Sequence, residues 1–283
     1  MSEVIEDDSI DMNKLNQVLK SLNQYTEYDI LAREVLGKDI VVFEDKVAFS
    51  VELSTSIARN ALKKLFHSNK ELDNFEVCRL STILLLFFPD VNSAWNRRRH
   101  LILTGFLQPK DELIFSSLIL GKFPKCFSAF CYRRFIITRC GLCLEDIVQK
   151  EVEVCDKTAR LYSNNYYSWT HRIWFVQLYC KSSAKKSELL TTEFSISKKY
   201  VEYHISDYSG LQYRQFLLSL MNECLKEELY FTDSLIRIYS EHESLWYHKR
   251  YVLNQILKGR NNLERKDLIE NEKLFIDDLK KRL

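Results

Sequence analysis

Cys140-Gly141-Leu142-Cys143 has the pair spacing of a zinc or redox loop. A closed zinc site needs a second such pair or suitably spaced histidines, and neither follows. The eight cysteines form no paired framework, so reduced thiols are expected, with Cys140 and Cys143 as buried apolar groups. None of the six histidines stands in His-Glu-x-x-His, and there is no Gly-rich phosphate loop or Ser-centred elbow. Arg97-Arg98-Arg99-His100 looks like a nucleic-acid contact, but four consecutive residues fan around most of a helical turn and cannot form one stripe. Net charge is +2, from 41 basic and 39 acidic side chains, which argues against a surface built to hold phosphate backbones. The residues therefore predict no metal site and no nucleic-acid partner.

The informative chemistry is a cation that recurs. Trp95, Trp169 and Trp246 are each followed three residues later by Arg98, Arg172 and Lys249. Between them, Phe130 leads Arg133 and Leu211 leads Arg214, which spaces the five anchors 35, 39, 42 and 35 residues apart. Five residues after each anchor stand the rings His100, Phe135, Trp174, Phe216 and Tyr251. One further on come Leu101, Ile136, Phe175, Leu217 and Val252, then Ile102, Ile137, Val176, Leu218 and Leu253. A period near 40 residues belongs to repeated helical hairpins. Offsets of 0, 3 and 7 share one helix face, so anchor, cation and aliphatic residue lie on a common stripe.

These cations require two helices per repeat. Ahead of the anchors stand possible starters: Asn92-Ser93, Ser128, Asn164-Asn165, Asp207 to Ser209, and Ser244, whose side chains can cap first-turn amides. Pro89 and Pro124 precede two of these starts. Companion helices are expected over 73–87, 110–121, 145–162, 186–204 and 227–240, with the polar stretch 181–187 as an exposed turn. Residues 12–36 and 46–69 read as two further helices around a short extended piece, Ile40 to Phe43. Residues 263–282 read as a charged final helix able to cap the array. Only 6 Gly and 3 Pro among 283 residues agree with this reading. The expected fold is all-α, a right-handed solenoid of about five antiparallel hairpins. Residues 1–70 would form an N-terminal extension packed on the array, and 71–283 the repeat domain with its cap.

Asn165-Tyr166-Tyr167-Ser168-Trp169-Thr170-His171-Arg172 carries Asn-Tyr-x-x-Trp-x-x-Arg, and weaker copies surround Trp95 and Phe130. This resembles the repeat of protein prenyltransferase α subunits, over about residues 75–258. The resemblance implies a crescent of helical hairpins wrapping a separate β subunit, with the catalytic zinc and the isoprenoid diphosphate on β and no cofactor on this chain. It implies transfer of a prenyl group to a cysteine of a protein substrate. Within the family it points to the β subunit of the Rab-type geranylgeranyltransferase, hence geranylgeranyl transfer. Family members carry a lysine near the diphosphate just before the Asn-Tyr of the third repeat, where this chain has Asn164. Lys125 occupies the corresponding place one repeat earlier, and Tyr166 retains the family tyrosine. Lys125, Asn164 and Tyr166 are thus the candidate diphosphate and substrate rim.

Two uses stay open for Arg98, Tyr132, Arg133, His171, Arg172, Tyr213, Arg214, His248 and Lys249: contacts that hold the repeats together, or contacts with a partner. The anchors Trp95, Phe130, Trp169, Leu211 and Trp246 read as core. The longest apolar run, Ile83 to Phe88, falls far short of the roughly 20 residues of a membrane helix. The acidic start, Glu3 to Asp11, is the reverse of a presequence, and the end carries no lipidation box. A soluble cytoplasmic α-type subunit is the expectation, inactive without its partner. A non-catalytic helical-repeat scaffold is the alternative.

Overall fold

The computed structural model describes residues 12–67, 71–221, 224–258 and 260–282. The acidic stretch Glu3 to Asp11 lies outside these residues. By internal contacts the chain divides into two compact units, Met1–His171 and Arg172–Leu283.

The first unit opens with α1 (Met12–Lys20), a 3-10 turn (Leu22–Gln24), β1 (Glu27–Leu31), the short α2 (Arg33–Leu36), β2 (Ile40–Phe43), β3 (Lys46–Ser50) and α3 (Val51–His67). The expected helix over 12–36 is corrected here, because only its first nine residues are one long helix and 27–31 is strand. In 46–69 the first five residues are strand and the helix starts at Val51. The reason is a period of two: Glu27 and Asp29 alternate with Tyr28 and Ile30, and Val47 and Phe49 bury one side of β3. The sheet order is β1-β3-β2, with β1 parallel and β2 antiparallel to β3. Phe49 meets Phe87 edge-on at 5.3 Å, and the Tyr28 hydroxyl donates to the Leu86 carbonyl at 2.6 Å, docking the sheet on the end of the next helix.

That helix is α4 (Asn74–Phe87), followed by α5 (Asn92–Leu103), α6 (Pro109–Lys122), α7 (Phe127–Arg139), α8 (Leu144–Leu161) and α9 (Tyr166–Ser182), which runs across the division between units. The second unit continues with α10 (Lys186–Tyr203), α11 (Tyr208–Met221), α12 (Leu225–Ile238), α13 (Glu243–Leu257) and α14 (Asn262–Arg282). Companion and anchor helices alternate as the spacing predicts, in an all-α helical-repeat fold with one small N-terminal sheet. The apolar column Leu101, Ile136, Phe175, Leu217 and Val252 is buried throughout. In the second unit, Phe275 and Leu279 of α14 complete a core with Val201, Leu211, Leu235, Ile236 and Leu245.

The starters behave in two ways. Asn165 accepts from the Ser168 amide at 3.3 Å and Asp207 from the Gly210 amide at 2.9 Å, so both cap. Ser128 and Ser244 instead donate to Asn92 at 2.7 Å and to the Ile205 carbonyl at 2.6 Å, and α7 is capped by the Cys126 thiol. Asn165 also donates to the Pro124 carbonyl at 2.7 Å. Side chains read as caps therefore tie the start of one anchor helix to the start of the one before.

Candidate functional site

The recurring cations face inward. Arg98 lies at the core of its hairpin, donating Nε and Nη2 to Glu112 on α6 at 2.7 and 2.6 Å. Its Nη1 reaches back to Thr82, Ser81 and the Cys78 carbonyl on α4 at 2.7, 3.2 and 3.3 Å. Arg133 repeats the pattern with Glu151 at 2.9 and 2.5 Å, reaching back to Ser117, Ser116 and the Leu113 carbonyl. In the second unit Arg172 grips Glu193 at 2.6 and 3.0 Å. Arg214 grips Glu228 in the same two-pronged way and reaches Ser197 and the Phe194 carbonyl. Lys249, one donor group without a fork, pairs at 2.7 Å with both Asp233 and Glu272, the latter on α14.

Each of these glutamates has a second partner on the next anchor helix. Tyr132 donates to Glu112 at 2.6 Å, His171 meets Glu151 at 2.5 Å, Tyr213 donates to Glu193, and His248 meets Glu228 at 2.7 Å. In all four the separation is 20 residues. The arginine-to-glutamate separation instead varies through 14, 18, 21 and 14 residues. The constant spacing of the fold thus runs from a companion helix to its own anchor helix, and the length changes fall in the connection from one hairpin to the next, mainly in the helix ends that flank its turn. Sequence reasoning missed these glutamates, although their constant distance to Tyr132, His171, Tyr213 and His248 was there to be found.

Electrostatics explain why the clasps hold while buried. Burial raises the Glu151 carboxyl, but Arg133 and His171 overcome that and hold it below the usual carboxylate range. Burial likewise opposes the charge on Glu228, and His248 and Arg214 outweigh it. Burial pulls the Arg98 guanidinium down, and Glu112 more than offsets this. Burial, with Glu112 and Glu193 adding to it, pushes the Tyr132 and Tyr213 phenols above their ordinary value. Burial lowers His171, so its neutral ring donates from Nε2 to Glu151 and accepts at Nδ1 from Arg134 Nε at 3.3 Å.

The anchors Trp95, Phe130, Trp169 and Leu211 are buried, whereas Trp246 is partly buried beside Phe275. Cys143 is exposed and Cys140 half-buried in the turn between α7 and α8, correcting their expected burial. The turn has to leave the packed face between two helix ends, so neither thiol can follow the core. No group of three or more metal-ligating side chains occurs among the described residues.

Open polar chemistry gathers in the first unit where α7 and α9 begin. Lys125 is exposed, its ammonium 4.4 Å from the Tyr162 ring centroid. Asn164 sits in the left-handed backbone region at φ 56°, turning the chain into α9. Tyr166 is 60% exposed and packs edge-on against Tyr167, which contacts the 55%-exposed Phe127 at 5.4 Å. The structure therefore brings the three rim candidates to the starts of neighbouring anchor helices, with an aromatic band among them.

Helical hairpins clasped by buried arginine–glutamate pairs, with exposed rings and Lys125 at the starts of two anchor helices, define an all-α repeat protein. The chain belongs to the protein prenyltransferase alpha subunit repeat family. The sequence pattern described as "Protein prenyltransferase alpha subunit repeat" matches residues 109–140, 148–179 and 225–256, the hairpins α6–α7, α8–α9 and α12–α13. The clasp geometry extends that repeat to α10–α11, where Glu193 and Arg214 stand without a tryptophan anchor. The chain is similar to Protein prenyltransferase alpha subunit repeat-containing protein 1 of Homo sapiens, 30% identical over 277 residues, covering 75% of this chain and 68% of that protein. The Danio rerio protein of that name is 28% identical over 272 residues, 75% of this chain and 63% of its own length. Geranylgeranyl transferase type-2 subunit alpha of Saccharomyces cerevisiae is 27% identical over 183 residues, covering 60% of this chain and 55% of its own. The chain thus spans about two thirds of its nearer relatives. Among the described residues no helix is long and apolar enough to cross a membrane.

Proposed function

We propose that this chain is the α-type subunit of a cytoplasmic, heterodimeric protein prenyltransferase that transfers a geranylgeranyl group to a cysteine of a protein substrate. The observation that carries the reading is the contrast between interior and rim: the repeat cations are consumed by internal clasps, while Lys125, Tyr162, Tyr166, Tyr167 and Phe127 stand outside. A β-type partner, that of the Rab-type geranylgeranyltransferase, would supply the zinc and hold the isoprenoid diphosphate. The acceptor thiolate attacks the first carbon of the isoprenoid, a thioether forms, and the C–O bond breaks with its electrons leaving on diphosphate. Charge gathers on the diphosphate oxygens as that bond opens, so fixed donors aimed there lower the barrier. Lys125 is the cation and Tyr166 the hydroxyl placed for that work at the rim.

Asn164 favours a second reading. An exposed amide brings no charge where the family has a lysine, as expected of a helical-repeat scaffold that binds partners without chemistry. Co-expression with β subunits of protein prenyltransferases, followed by capture and a lipid-transfer assay, separates the two. A stable complex that geranylgeranylates a cysteine-bearing protein supports the enzyme. A complex silent with every isoprenoid diphosphate supports the scaffold, and capture of no β subunit overturns the first reading.

A further inference from the structure

The companion helices differ on the face opposite their clasp glutamates. Residues two, five, six and nine positions after each glutamate share that face. In α8 they are Glu153, Asp156, Lys157 and Arg160, and in α10 Ser195, Lys198, Lys199 and Glu202. In α12 they are Tyr230, Asp233, Ser234 and Arg237. In α6 they are Ile114, Ser117, Leu118 and Gly121, a stripe without a charge.

Those four residues of α6 floor a hollow of about 360 Å³ in the first unit. Residues of α8, from Lys150 to Thr158, form one wall, and Asn23 to Thr26, at the approach to β1, form the other. A second hollow of about 140 Å³ continues it toward the start of α6, sharing Ile114, Ser117 and Lys150. From Lys110 to Gly121 the groove runs roughly 16 Å along α6.

Space and charge together say what the groove takes. Glycine weakens a helix relative to alanine. A methyl at Gly121 would nevertheless meet only the Lys157 ammonium and the carbon next to it, at 3.6 and 3.8 Å. Packing within the chain therefore does not require glycine there, and its hydrogen leaves the floor open. Lys157 pairs with Glu27 at 3.2 Å, Lys110 with Asp146 at 3.7 Å, and Glu153 accepts from Gln149 at 2.8 Å. Lys150, where the two hollows meet, has neither an ion pair nor a hydrogen bond among the described residues. An apolar floor of this length beside one uncompensated ammonium fits an alkyl chain that ends in a single negative charge.

We propose that the groove between α6 and α8 binds a free medium-chain carboxylate, its chain over Ile114, Leu118 and Val154 and its head on Lys150. The site shares no residue with the rim of Lys125, Asn164 and Tyr166 and needs no β subunit, so it stands or falls apart from the proposed function.

Decanoate, decanol and decyltrimethylammonium are titrated calorimetrically into the full chain, all below micelle formation. Decanoate is expected to saturate one site, decanol to bind about fivefold more weakly, and the cationic chain not to bind. Lys150→Gln should bring decanoate down to the level of decanol. Gly121→Leu, which fills the floor, should weaken both about tenfold or more with the helical circular dichroism unchanged. Lys199→Gln, on the corresponding stripe of α10, should alter nothing. A decanoate carrying a diazirine near its chain end gives a readout that needs no variant: light should attach it to peptides from α6 or α8. No saturable binding, decanol or the cationic chain binding as well as decanoate, Gly121→Leu binding like the parent, or label confined to other helices each overturns the proposal.

Discussion

Each buried clasp joins three helices through one carboxylate, so removing either charge strands the other in a dry interior. Arg133→Ala should destabilise the first unit by about 3–5 kcal/mol, measured by denaturant unfolding, because Glu151 then lies buried beside His171 alone. A variant that unfolds at the parent's midpoint would show that the clasp contributes nothing. The alternation of Tyr132, His171, Tyr213 and His248 against these carboxylates also sets a pH dependence. His171 is depressed below its unfolded value, so the stability it contributes is complete above about pH 6.5 and declines as acid protonates it. Glu151 and Glu228 are depressed too, and their contribution is lost as pH falls from about 4.5 through their folded values. The melting temperature should therefore fall from pH 7 to 5 and further below 4.5, and His171→Gln should flatten the first of those declines. A parent curve flat between pH 7 and 5 would contradict this.

At the level of elements, the hairpin is a companion helix followed by its anchor helix, with a constant 20-residue reach from glutamate to ring. The connection after each anchor helix varies in length, mainly through the helix ends that flank its turn. Four residues inserted beside Gly105, in the turn between α5 and α6, should cost less than about 1 kcal/mol, the loop-closure term alone. The same insertion beside Lys125 would pull Tyr132 from Glu112 and Asn165 from Pro124, and should lower the melting temperature sharply. Equal tolerance at both turns would refute the assignment of the repeat unit. After the α12–α13 hairpin comes α14: Glu272 serves Lys249 while Phe275 and Leu279 cover the core of that hairpin.

At the scale of the whole molecule, the exposed aromatic band is where an outside contact has most to gain. Rings bury large area at low entropic cost, and Lys125 beside Tyr162 adds a cation at the same edge. Tyr166→Ala should leave the melting temperature within about 1 °C of the parent, since that ring is mostly exposed, while weakening capture of a β-type partner about tenfold or more. A melting temperature that drops with capture unchanged would make Tyr166 a packing residue and move the partner face elsewhere.

The amino-acid sequence determined the all-α repeat, its period and its inward stripe, because anchor, cation and aliphatic columns are local offsets that any helix places on one face. It misjudged residues 27–31 and 46–50, where strands pair across intervening chain and a helix-like spacing of apolar residues competes with a period of two. It identified Arg98, Arg133, Arg172 and Arg214 as candidates but left their purpose open. Only the tertiary structure decided that purpose, because the glutamates that claim them sit on other helices at sequence separations that vary from repeat to repeat. Ser128 and Ser244 carry the same lesson: a hydroxyl at a helix start can cap its own amides or reach the preceding repeat, and the choice depends on a neighbour that sequence does not place.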